Sequence, residues 1–197
     1  MSGTLEFYFD FSSPYGYLAA QRIDALGEEL GRDVIWRPFL LGAVFKETGS
    51  QPLLGIPLKG DYARLDLERS ARRMGVPMRF PDSFPFASVA ACRAFYALEE
   101  NDPAMAVTLA VALYEAAFGR GEDINKPENV LSIAGTLGLD LADRLGLPEI
   151  KERLRHEVEG ALNKGVFGSP FFIVEGESFW GHDRMDDLAD WVRQGGW

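Results

Sequence analysis

Three short stretches carry residue types suited to chemistry at a site built from backbone and hydroxyl groups. Ser13-Pro14-Tyr15-Gly16 separates an aromatic run from a helical pattern, Gly168-Ser169-Pro170 precedes "FFIV", and His182-Asp183 stands in "GHDRMDDL" before the final helical pattern. Ser13 reads as an N-cap with Pro14 at the first helical position. The amides left free by such a cap, with the helix dipole, would also stabilise an anion, and the hydroxyl could donate to a bound thiolate. Pro170 suits either the head of an edge strand or a cis bond in a tight turn. If the bond is cis, the amide and carbonyl of Ser169 could face outward and pair with an extended peptide-like ligand. Asp183, with Asp186 three residues on, reads as an acidic cap for the last helix. The alternative is that Asp183 holds the ammonium of a zwitterion while helix amides take its carboxylate.

Other chemistries lack their residues. The chain has two histidines and one cysteine, and no HxxxH, CxxC, GxGxxG or Walker pattern, which argues against metal, dithiol and nucleotide chemistry. Cys92, among alanines and aromatics in "SVAACRAFYAL", reads as a buried structural thiol. Twenty basic against thirty acidic residues leave a net charge of −10 with no concentrated Lys/Arg run, so neither nucleic acid nor an anionic membrane is the expected partner. No signal peptide and no membrane span are expected, and the chain is expected to be cytoplasmic with a small-molecule substrate. Tyr62, Asp66 and Arg69 share one helical face, either as solvated ion-pairing residues or as a polar patch toward substrate.

The elements that must hold these stretches are legible. "LEFYFDF" and "DVIWRPF" suit buried strands, and Ala19, Ile23, Leu26 and Leu30 predict one helix between them ending near Gly31. A right-handed crossover would make the two strands parallel. From "LLGAVF" to "KGDY" the chain reads as a long connection with one short helix, and from Asp61 to about Lys164 as roughly five helices. The C-terminal part returns to strands around Glu175-Gly176-Glu177, a hairpin signal, and Met185, Leu188, Ala189 and Val192 predict a closing helix. The expected order is βαβ, helical insert, ββα. Residues 1–40 and 165–197 form one α/β domain in this reading, and 41–164 an inserted helical domain.

The blocks "FYFDFSSPYGYLA", "RPFLLGAVFKETG", "PLKGDYARLDLERSARRMGVPMRFP", "KGVFGSPFFIV" and "FWGHDRMDDL" resemble the 2-hydroxychromene-2-carboxylate isomerases and the related kappa-class glutathione transferases, within the DsbA-like thioredoxin superfamily. The resemblance implies a thioredoxin-like fold with a large all-helical insertion, glutathione as cofactor and a homodimer. It implies a glutathione-dependent isomerase of aromatic-compound catabolism, interconverting 2-hydroxychromene-2-carboxylate and trans-o-hydroxybenzylidenepyruvate. A kappa-like transferase acting on small electrophiles and a non-catalytic glutathione- or peptide-binding module are the alternatives. Ser13 resembles the serine that contacts the glutathione sulfur. Ser169 and Pro170 match the cis-proline loop that holds the cysteinyl part, His182 and Asp183 the pair at the γ-glutamyl end, and Lys59 a lysine that meets the glycyl carboxylate. Ser50 and His182 depart from the pattern, Ser50 standing where asparagine is common and His182 where serine or asparagine is. Disulfide exchange needs an attacking and a resolving thiol, and the first helix supplies neither.

Overall fold

The computed structural model describes residues 3–197. Strand β1 (Gly3–Phe9) pairs in parallel with β2 (Arg32–Pro38), from Gly3 opposite Arg32 to Phe9 opposite Pro38. Strand β3 (Phe171–Val174) runs antiparallel on the other side of β1, and β4 (Glu177–Trp180) closes a sheet of order β2-β1-β3-β4. Glu175 at φ 52° and Gly176 at φ 87° make the β3–β4 turn, and two positive φ angles are what a two-residue hairpin of matching twist requires.

Alternation along β1 divides the sheet into two faces. Leu5, Phe7 and Phe9 are wholly buried. The Phe7 ring stacks on Phe9 at 4.9 Å and on Phe172 at 5.5 Å, with Trp36 edge-on at 5.0 Å. This face is covered from the β2 side by helix α2 (Ile23–Leu30), whose Asp24 accepts the Trp36 indole N–H at 2.8 Å. A Cβ at Gly27 would come within 2.3 Å of Val34, so glycine sets how closely α2 lies on the strand.

The single helix expected between β1 and β2 is two. α1 (Pro14–Ala20) ends and α2 begins across Gln21-Arg22, where the Arg22 amide bonds back three residues to Ala19 and its φ of −126° leaves the helical range. Hydrophobic spacing runs through the break because both pieces bury a face on the same core, so periodicity alone could not reveal it. β1 also stops at Phe9 rather than Phe11, since Asp10 and the serines turn the chain into α1.

Between β2 and β3 lie α3 (Leu41–Thr48), a 3₁₀ turn at Leu53–Gly55, α4 (Lys59–Met74), α5 (Val89–Glu99), α6 (Pro103–Tyr114) continued by a π-helical turn at Glu115–Arg120, α7 (Pro127–Thr136) and α8 (Pro148–Asn163). The insertion shares the core of the sheet: Phe9 meets Phe95 of α5 at 6.3 Å and Tyr114 of α6 at 5.7 Å. Cys92 is fully buried on α5, and burial pushes its thiol well above its ordinary value, away from reactivity. Helix α9 (Met185–Gln194) follows β4. Among the described residues no helix is long and apolar enough to cross a membrane.

On the other face of β1, Glu6 accepts Lys164 Nζ at 2.7 and 2.8 Å and Arg37 Nε at 2.9 Å. Burial alone would raise the Glu6 carboxyl, but the Lys164 bonds and the Arg37 charge outweigh it and hold the group below its ordinary 4.5. The ionised form is therefore favoured by folding, and the stability it adds is complete above pH 4.5 and lost as pH falls through the lowered value. Glu6→Gln should flatten the acid limb of a stability–pH profile followed by urea unfolding from about pH 6 to 3. An unchanged acid limb would place that slope elsewhere.

Candidate active site

The β1–α1 loop and the β3 loop meet through a closed set of hydrogen bonds. Ser13, only 5% exposed, caps α1: its Oγ accepts the Gly16 amide at 3.1 Å and donates to the Ser169 carbonyl at 2.9 Å. Ser169 Oγ in turn accepts the Asp10 amide at 3.0 Å, so the β1–α1 loop donates both bonds and Ser169 accepts both. The Ser169-Pro170 bond is cis, the isomer that composition left open. Its carbonyl does not simply face outward, because Ser13 occupies one of its acceptor positions. The Ser169 amide makes no hydrogen bond among the described residues and is the group left for an added strand.

Asp10, which is not among the candidate residues of the sequence, organises this junction. Its Oδ1 accepts the Ser12 amide at 2.7 Å and the Ser12 hydroxyl at 2.8 Å, and its Oδ2 accepts the Leu41 amide at the head of α3 at 2.7 Å. Burial pushes its carboxyl up, while the Ser88, Ser12 and Leu41 donors pull it back. The Asp10 carbonyl accepts the Ser13 amide at 2.8 Å and the Tyr114 hydroxyl at 2.9 Å. An aspartate within an aromatic run, two residues before Ser12, carries the signal of an Asx turn. Tyr114, a hundred residues downstream, carries none.

Tyr15 links the remaining residues. Its hydroxyl donates to Asp66 of α4 at 3.0 Å and its ring stacks on His182 at 5.2 Å and 24°. Burial, then the Asp66 charge, pushes the phenol well above its ordinary range, so Tyr15 remains a donor. Burial also pushes the His182 imidazole below 6.5, against the pull of Asp183 and Asp66 and with that of Arg22, which leaves it neutral at pH 7. Asp66 stands 3.9 Å from Arg69 and also faces α1, so the Tyr62/Asp66/Arg69 face is part ion pair and part wall of the site.

Asp183 is not the cap of the last helix. It lies in a 3₁₀ turn, His182–Arg184, entered through Gly181 at φ 111°, and the N-cap of α9 is Arg184 with no side-chain cap bond. The Asp183 carboxylate lies 3.6 Å from Arg184 and 62% exposed. A Cβ at Gly181 would stand 2.4 Å from its Oδ1, so the glycine both turns the chain and makes room for the carboxylate. Ser50 and Lys59 make no hydrogen bond with the Ser13–Ser169 pair: Ser50 Oγ accepts Thr48 Oγ1 at 3.0 Å, and Lys59 is exposed and makes no ion pair. Lys59 heads α4 behind Leu58, whose φ of 66° and ψ of −47°, with the Lys59 amide 2.8 Å from the Pro57 carbonyl, form a γ-turn strained for leucine. No group of His, Cys, Asp and Glu suited to a metal occurs among the described residues.

A parallel β-α-β start, an antiparallel hairpin and a cis-proline loop facing the first helix define a thioredoxin-like fold in which a serine stands at the helix mouth. The DSBA-like thioredoxin domain family matches residues 4–193, and the chain belongs to that family. It is 32% identical to a 2-hydroxychromene-2-carboxylate isomerase of Sphingobium xenophagum, over 98% of this chain and 99% of that one. It is 28% identical to glutathione S-transferase kappa 1 of Homo sapiens, over 94% of this chain and 89% of that one. A solved 2-hydroxychromene-2-carboxylate isomerase superposes with a TM-score of 0.88 at 27% identity, over 97% of this chain and 95% of that one.

Proposed function

We propose that this chain is a glutathione-dependent isomerase that interconverts 2-hydroxychromene-2-carboxylate and trans-o-hydroxybenzylidenepyruvate, or a closely related aromatic pair. The observation that carries this reading is the Ser13 hydroxyl, held at the mouth of α1 against the cis-proline loop where a disulfide enzyme needs a thiol. The residues fit glutathione: the free Ser169 amide suits a cysteinyl backbone, the exposed Asp183 carboxylate an ammonium, and exposed Lys59 a carboxylate. When bound, glutathione supplies a thiol that adds reversibly to a conjugated carbonyl compound, freeing rotation about the bond that becomes single.

α1 has only seven residues, so its dipole is small and the weight falls on local donors. Ser13 keeps the Gly16 amide as its donor while its own proton swings from the Ser169 carbonyl to a thiolate. The Tyr15 amide, unpaired in the first turn, is a second donor. His182, neutral and stacked on Tyr15, walls the γ-glutamyl end without adding a positive charge beside Asp183.

The test is the ultraviolet spectrum of 2-hydroxychromene-2-carboxylate with enzyme, with and without glutathione. Equilibration with the benzylidenepyruvate only when glutathione is present is expected. Glutathione-independent equilibration, or none, would overturn the reading, and a stable thioether product would turn it toward transfer. Asp183→Asn should weaken glutathione binding by titration calorimetry about three- to tenfold, the lower part of the range for a charge-assisted bond because the carboxylate is 62% exposed. The melting temperature should hardly move, since no cap is lost. Wild-type affinity in this variant would remove Asp183 from the site.

A further inference from the structure

A cavity of about 150 Å³ opens between the 3₁₀ turn, α4 and the Phe84-Pro85 loop, lined by Pro52, Leu54, Gly55, Phe84 and Pro85, with Gln51 and Arg64 as its polar lining residues. None of its lining residues belongs to the Ser13–Ser169 junction, although α4, which carries Arg64, also carries Asp66, the partner of Tyr15, and Gln51 follows Ser50 in the chain. A cavity of this volume with apolar walls accepts a single six-membered ring.

Arg64 is the unusual member. The guanidinium of Arg64 lies 5.0 Å from the centre of the Phe80 ring, and the exposed side chain makes neither hydrogen bond nor ion pair. Asp61 stands three residues before it and Glu68 four after, both at helical ion-pairing distance in sequence, yet Glu68 turns to Arg72 at 3.9 Å and Asp61 pairs with nothing. In a chain of net charge −10, a guanidinium that stacks on an aromatic ring and leaves its donors unpaired is a free anion receptor. Its planar fork matches a carboxylate two bonds at a time.

The walls are built rather than incidental. A Cβ at Gly60 would fall 2.3 Å from the Leu54 carbonyl, so a glycine at the second residue of α4 lets the 3₁₀ turn lie against the helix that carries Arg64. The Gly60 amide donates to the Ile56 carbonyl at 2.7 Å and fixes that approach.

We propose that this cavity binds the aromatic ring of a planar carboxylate, with the ring between Leu54 and Phe84 and the carboxylate on Arg64, and that Arg64 selects anionic over neutral substrates. Calling the ligand a substrate rests on the function proposed above; the binding itself does not, and is measured without glutathione. The probes are salicylate and its neutral amide, salicylamide, followed by ligand-observed NMR and by quenching of the protein's own fluorescence. Salicylate should bind at least tenfold more tightly than salicylamide. Arg64→Met should abolish that preference while leaving the melting temperature unchanged, and Arg64→Lys should restore only part of it, because a point charge cannot replace the fork. Equal binding of the two probes, binding of neither, or an unchanged preference in Arg64→Met would overturn the proposal. Glutathione binding measured on the same preparation separates the two readings: intact glutathione binding with no salicylate binding defeats only this one, and the converse defeats only the proposed function.

Discussion

Ser13→Ala is expected to lower turnover about ten- to a hundredfold while glutathione affinity changes little. In the proposed function the hydroxyl would donate a charge-assisted hydrogen bond to the glutathione thiolate, and a bond of that kind contributes roughly 1.5–3 kcal/mol. Its other contacts predict a separate structural effect. Without this oxygen, held in a residue only 5% exposed, the Gly16 amide loses its cap and the Ser169 carbonyl its donor. A lost cap costs about 1 kcal/mol, so a fall of about 2–4 °C in melting temperature should accompany the loss of rate. The two effects separate by temperature: well below the melting point the variant is folded, and the rate deficit should persist there. Full turnover with normal glutathione binding at that temperature would show that Ser13 only caps the helix.

Gly16→Ala should damage the same junction from the other side, and more severely for stability. A Cβ at this position would stand 2.4 Å from the Tyr114 hydroxyl and 3.0 Å from Ser169 Oγ. Neither can move freely, because Tyr114 donates to the Asp10 carbonyl and Ser169 Oγ accepts the Asp10 amide. Forcing either aside costs about 1–3 kcal/mol of overpacking, with a further loss for each buried bond broken. Urea unfolding should show that loss, and glutathione titration should show weakened binding because the Ser169 loop shifts. Tyr114→Phe in the Gly16→Ala background should recover part of the stability, since it removes the atom in closest contact. Wild-type stability in Gly16→Ala alone would mean that the two loops are not held as closely as described.

Much of this arrangement is legible in the chain because local chemistry dictates it. Ser13-Pro14 predicts a capped helix start and the structure has one; Glu175-Gly176 predicts a tight hairpin and both residues take positive φ. Aromatic runs predict the buried strands, and their parallel pairing follows from the crossover. Misreadings occur where a tertiary contact decides a local choice. Asp183 has the spacing of a capping residue, but Gly181 turns the chain so that Arg184 takes the cap position. Helices α1 and α2 share one hydrophobic period, and the break at Arg22 coincides with its pairing to Asp186 of α9 at 2.7 Å, a partner that periodicity cannot see. Tyr114 reaches Asp10 from 104 residues away, and Tyr15 reaches Asp66 from 51, so their roles in the site appear only when the chain is folded. Ser50 and Lys59 rest on the resemblance alone, and among the described residues no hydrogen bond ties them to Ser13.

The measurement that bears most directly on the account is the ionisation of glutathione bound to the wild-type protein, followed by the ultraviolet absorbance of its thiolate as pH is raised. A free thiol is half-ionised near about pH 8.5. The Ser13 hydroxyl and the Tyr15 amide should bring the bound thiol to half-ionisation about two pH units lower, equivalent to about 2.7 kcal/mol of preferential stabilisation of the anion. In Ser13→Ala most of that shift should vanish. Bound glutathione that ionises at the value of the free thiol, or above it, would contradict the claim that this junction binds and activates a thiolate.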